Sequence, residues 1–150
     1  MTDLHMPTLR QAGPSDWAAV EALLRESGLP ADDLDGDRLG GFLVAEDGSE
    51  LLGLIGLKLY GTIGLLRSLV VAKEARRRGL AGKLVGALES AAEVAGVTEL
   101  WLLTVDAENF FERHGFEIVA RESAPERIQQ TEEFSDLCPG SAFLMQKKIA

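Results

Sequence analysis

Apolar positions recur at two different periods along this chain, and the switches between them set out its elements. From Trp17, apolar residues return at Val20, Leu23 and Leu24, the spacing of one helix face. Ser15 or Asp16, following Pro14, is placed to cap that helix, and Gly28 with Pro30 ends it. Ahead of it, Pro7 to Ala12 suits a first edge strand. Phe42 to Glu46 and Leu51 to Tyr60 flank Asp47-Gly48, a hairpin-turn pair, and are predicted to pair as antiparallel strands. Gly53 and Gly56 thin the second strand, where a bulge or a close neighbour is expected. Gly61 to Gly64 turns the chain into Leu65 to Val71, an apolar run broken only by Arg67 and Ser68 and predicted as an interior strand.

A helical stripe then follows at Leu80, Leu84, Leu88, Ala91 and Ala95, with Lys83, Glu89 and Glu93 left to solvent and Gly96 as the stop. Glu99 to Val105 is a second interior strand, reached by a crossover. Asp106 is placed to cap a short helix from Ala107 to His114, which Gly115 ends. Phe116 to Arg121 continues as a strand, Pro125 fits the first turn of another short helix, and Ser141 to Ile149 is a last strand. Ala31 to Gly40 is rich in Asp and weakly patterned; a short helix, a loop and a flap over a site all remain open for it. One domain over 1–150 is expected, with no repeats or linker-like stretches.

Charge changes the picture at one place. The start of a helix already carries about half a positive charge, so cations are disfavoured there. Yet Arg76-Arg77-Arg78 stands directly before Gly79-Leu80-Ala81-Gly82, in a chain of net charge −9. An anion in that turn, accepting from exposed amides and from the arginines, resolves the conflict, and the small residues let it approach the backbone.

The pI near 4.7 argues against a broad nucleic-acid or anionic-membrane surface. No long apolar span or signal-like start is seen, so a cytoplasmic protein is expected. The single cysteine, Cys138, has no internal disulfide partner and reads as an incidental thiol, and no metal-ligand spacing occurs. A triphosphate-binding loop fails because Gly82-Lys83 is followed by Leu84, and a dinucleotide loop lacks its third glycine.

The order of elements, the Arg76-Arg77-Arg78-Gly79-Leu80-Ala81 turn and Gly115-Phe116 together resemble the GNAT superfamily of CoA-dependent N-acetyltransferases, from about Thr8 to Ile149. The stretches GLLRSLVV, LLT, FFERHGF and TEEFSDLCPGSAFLM are similar to its arsenic-resistance N-acetyltransferase-like branch, and more distantly to N-acetylglutamate synthase domains. The resemblance implies an α/β (α+β) fold: a mixed, mostly antiparallel sheet of about seven strands with helices on both faces. It implies acetyl-CoA as co-substrate, no metal, and a small amino-acid-like amine, an arsenical or phosphinic analogue included, as acceptor. Many members dimerise, though no stripe here reports a homodimer.

By the same resemblance, the diphosphate of CoA lies on the amides from Arg76 to Gly82, and its pantetheine arm runs along Leu69, Val70 and Val71. A bulge frees that strand from its neighbour, and the Leu69 amide stabilises the oxyanion of a tetrahedral intermediate formed by direct attack of the amine. Two departures stand out: Phe111 occupies the place of a tyrosine acid, and Leu65 that of a glutamate base. Glu46 is the carboxylate to test as a base relay, against the plainer reading of a strand-end surface residue. Arg67 either binds an acceptor carboxylate or snorkels to solvent. Ser68, Thr104 and Phe111 are further acceptor-side candidates, Thr104 also reading as a satisfied strand-end hydroxyl and Phe111 as core or pocket wall. His114 suits a helix-dipole role better than a catalytic one. The missing Tyr and Glu keep a catalytically idle acyl-CoA-binding module as the alternative.

Overall fold

The computed structural model describes residues 7–28, 39–48, 50–76, 79–131, 134 and 142–149. Seven strands form one sheet in the order β1-β2-β3-β4-β5-β7-β6. They are β1 (Thr8–Gln11), β2 (Phe42–Asp47), β3 (Glu50–Tyr60), β4 (Ile63–Val71), β5 (Glu99–Thr104), β6 (Glu117–Val119) and β7 (Phe143–Lys148). The helices are α1 (Trp17–Glu26), α2 (Leu80–Val94), α3 (Glu108–Arg113) and α4 (Glu126–Gln129). β1 with β2, β2 with β3, β5 with β7 and β6 with β7 pair antiparallel, while β4 and β5 run parallel. The predicted mixed, mostly antiparallel sheet is therefore present.

The chain divides into two compact units: 1–57 with 68–90, and 58–67 with 91–150. In the first, Val20, Leu23 and Leu24 of α1 pack with Phe42, Val44, Leu54, Val70 and Ala72, so the α1 stripe faces as its spacing predicts. Gly53 is needed there, because a Cβ would come 2.9 Å from Val70 O. Gly56 lies under the Phe42 ring, 2.7 Å from where its Cβ would stand. In the second unit, Leu65, Trp101, Ala124, Ile128 and Leu144 form the core, with Tyr60, Leu103 and Phe134 packed against it.

Several boundaries differ from the sequence reading. β4 begins at Ile63, so Gly61-Thr62 alone make the turn. The buried residues of α2 step by four, at Leu80, Leu84, Leu88 and Ala92, with Val85 beside them, and Ala91 and Ala95 are exposed. Steps of four drift round the helix, which a straight stripe read through Ala91 misses. Asp16 stands at the N-cap position of α1 but makes no side-chain bond to the helix amides, and a 3-10 turn, Pro14–Asp16, leads straight into the helix. Asp106 does not cap α3: Ala107 stands at the N-cap position, and its N–H donates to the Thr104 hydroxyl at 3.0 Å. β6 ends at Val119, and Arg121 belongs to a 3-10 turn, its guanidinium donating to Ala142 O and Phe134 O. Pro30, most of Ala31 to Gly40, and Cys138 lie outside the described residues.

Candidate functional site

Within the first unit, the end of β4, the turn after it and the start of α2 form one continuous stretch of backbone. The described pairing of β4 with β5 ends at Leu65↔Trp101, although β4 itself runs on to Val71. Between these points Ser68 has φ +59°, the only left-handed non-glycine conformation among the described residues. A residue so placed breaks the regular alternation of strand amides, and Leu69 follows it directly. The Val70 side chain is buried in the unit's core, so that residue has only its backbone to offer a ligand.

A 3-10 turn, Lys73–Ala75, then leads to Arg76, whose Nε donates to Val71 O at 3.1 Å. Gly79 enters α2 with φ +74°, and among the described residues nothing lies within 4 Å of where a Cβ would stand. Its carbonyl accepts the first helical bond, from Lys83 N at 3.2 Å. Helix geometry leaves the N–H groups of Leu80, Ala81 and Gly82 without an intrahelical acceptor. Leu80 is buried and anchors the turn, whereas Gly79 is exposed and Ala81 and Gly82 are partly so. An open glycine, small neighbours and outward amides fit a diphosphate. Arg77 and Arg78, also expected to meet the anion, lie outside the described residues.

The acceptor-side candidates at Arg67, Thr104 and Phe111 fall in the second unit. Arg67 is 6% exposed, which rules out snorkelling. It lies two residues beyond Leu65 and therefore on the same strand face. Thr104 ends β5 with its hydroxyl engaged as the acceptor for Ala107 N–H. Phe111 is 4% exposed and edge-on to Phe110 and Phe116, so its ring is core. His114 stacks on Phe110 at 4.4 Å, and its Nδ1 donates to Phe110 O at 2.9 Å, at the end of α3.

Glu46 is bound elsewhere. Arg10 on β1 donates to both of its oxygens, at 2.8 and 3.1 Å, and to both oxygens of Asp16, at 2.9 and 2.8 Å. Asp16 also accepts from Gly13 N at 2.7 Å. Hydrogen bonding from Arg10 holds the Glu46 carboxyl below its usual range; Arg10's own hydrogen bonds to Asp16, with that of the Gly13 amide, pull Asp16 down to about 2. A carboxylate stabilised in this way is a weak base. The cluster was not legible in the sequence, because its three members share no local spacing.

The fold and the turn together define a mixed-sheet α/β domain with an open, small-residue turn at the start of α2. Residues 38–118, over half of the chain, match the acetyltransferase (GNAT) domain, and the chain belongs to that family. It is 33% identical over 89 residues to an uncharacterized N-acetyltransferase of Chlorobaculum tepidum, a stretch covering 58% of this chain and 56% of that protein. The match thus spans little more than half the length of that curated relative. Among solved structures, N-acetylglutamate synthase from Neisseria gonorrhoeae, complexed with coenzyme A and N-acetyl-glutamate, agrees with a TM-score of 0.85 at 19% identity, over 97% of this chain and 36% of that one. The PaiA N-acetyltransferase from Thermoplasma acidophilum, in complex with coenzyme A, gives a TM-score of 0.70 at 18% identity, over 96% and 99%. At these identities the likeness is one of fold.

Proposed function

We propose that residues 1–150 act as one transferase domain that moves an acetyl group from acetyl-CoA to the amine of a small, amino-acid-like acceptor. The observation that carries this reading is the stretch from Ser68 to Gly82. It joins a strand with a left-handed residue, a turn fastened by Arg76, and a helix entered through a left-handed glycine. Leu80, Ala81 and Gly82 would hold the diphosphate by their amides, with Arg76 adding charge, and Leu69 to Val71 would take the arm by backbone hydrogen bonds.

Acetyl-CoA supplies an acetyl group activated as a thioester. The chain's part is to set that carbonyl against the Leu69 N–H, which donates to the oxygen as negative charge grows there. The amine attacks directly, and no side chain is acylated. No phenol stands at position 111; a thiol of pKa about 8.5 is a good enough leaving group for solvent to protonate it. Arg67 supplies a buried positive charge suited to an acceptor carboxylate, in keeping with the resemblance to the arsenic-resistance branch and its amino-acid-like substrates.

Incubation with acetyl-CoA and a panel of amino acids and their arsenical and phosphinic analogues, following thiol release, tests this. Steady release with at least one carboxylate-bearing amine is expected. Bound CoA with silence across the panel would instead favour an idle acyl-CoA-binding module, a reading that the buried Phe111 at the usual tyrosine position supports.

A further inference from the structure

Arg76 has a second relationship to the site, and its meaning rests on the reading that acetyl-CoA lies along β4. The Val71–Ala72 peptide is held at both ends. Its N–H donates to Leu52 O of β3 at 2.8 Å, and its C=O accepts from Arg76 Nε at 3.1 Å. In a trans peptide these two groups point in opposite directions, and no described peptide is cis. The Val71 carbonyl therefore faces away from β3, toward the edge on which β4 has no described partner past Leu65.

A carbonyl at the exposed end of a strand is ordinarily fixed only by solvent. Here a charge-assisted bond fixes it, and its second lone pair stays available to another donor. The Arg76 backbone N–H donates to Lys73 O at 3.3 Å, and Nε is the one side-chain donor of Arg76 seen engaged among the described residues.

We infer that Arg76 is a positioning residue for the pantetheine arm, acting through the Val71 carbonyl: it locks the last peptide of β4 in the orientation that accepts an amide N–H of the arm. Its effect is thus on the phosphate-free half of acetyl-CoA, separate from any charge it contributes to the diphosphate.

Wild type and Arg76→Ala are to be titrated with pantetheine, which has the arm without phosphates, and with adenosine 3′-phosphate 5′-diphosphate, which has phosphates without the arm. NMR-detected binding should show pantetheine weakened about two- to tenfold in the variant, the worth of one hydrogen bond, with the melting temperature unchanged. Unchanged or tighter pantetheine binding overturns the inference, whatever happens to the nucleotide half. Hydrogen exchange at the Ala72 amide, measured without ligand, is the second readout. It should quicken in Arg76→Ala, and equal exchange in the two proteins overturns the lock. Wild-type protein that binds neither probe nor CoA would sink the acetyl-CoA reading itself, a result distinct from either of these.

Discussion

Ser68 and Gly79 both occupy left-handed backbone, at φ +59° and +74°, and only the second is a glycine. A non-glycine residue in that region costs about 1–3 kcal/mol and persists where its surroundings demand it. Ser68→Val, whose branched side chain fits that region worse, should lose about 1–2 kcal/mol of stability and lower kcat, leaving CoA affinity nearly intact; an equal loss of CoA affinity in calorimetry would contradict the role given to the Leu69 amide. At position 79 no described residue fills the space a side chain would take. Gly79→Ala should therefore cost only backbone strain, while Gly79→Glu adds a carboxylate where the diphosphate belongs and should weaken acetyl-CoA by tenfold or more, about 1.4 kcal/mol. Equal affinities for the two variants would remove the anion from this turn. Arg67→Lys should raise the acceptor's KM by about tenfold, the worth of a charged hydrogen bond, with the KM for acetyl-CoA little changed; parallel changes in both would place Arg67 elsewhere. The glycine was legible because its motif is short and local. The serine's conformation was not, since nothing in Leu66-Arg67-Ser68-Leu69 codes for positive φ.

Arg10 joins β1, β2 and the entry to α1 through two carboxylates, and this clamp rather than a helix cap fixes where α1 begins. The folded-state pKa of Asp16, about 2, lies below its ordinary 3.8, and Glu46 is shifted in the same direction. A depressed carboxyl pKa stabilises the fold above the unfolded value, and that contribution fades as pH falls through the folded one. Urea midpoints should thus fall between about pH 4 and pH 2, and Arg10→Met should flatten that slope while losing about 1–3 kcal/mol at neutral pH, because the buried Asp16 carboxylate loses its cationic partner and keeps only the Gly13 amide. An unchanged acid slope would show that the clamp contributes little. Elements with a strong apolar period, such as α1 and α2, were legible from sequence. Ends set by side-chain hydrogen bonds were misplaced: the Thr104 hydroxyl takes the Ala107 N–H just before α3, where Asp106 was expected as the cap, and Arg121 turned away to Ala142 and Phe134 where a strand was expected.

Across the whole molecule, the succession of strands along the chain, though not the place of β7 between β5 and β6, was recoverable because turns at Gly48 and Gly61 and stops at Gly96 and Gly115, all with positive φ, punctuate it. The acceptor was not, because specificity depends on side chains brought together from distant positions. Acetyl-CoA at about a hundred times its Kd should add roughly 2.7 kcal/mol and raise Tm by roughly 5–10 °C. No shift at that concentration would argue against binding by the folded chain. The two tryptophans of the sequence add a way to watch it unfold. Trp17 packs on the core of the first compact unit, and Trp101 is enclosed in the second with its indole N–H on Glu99. Each unit therefore carries its own optical reporter. Phenylalanine at one position isolates the emission of the other, and coincident or separate spectral shifts in denaturant will tell whether the two halves melt together.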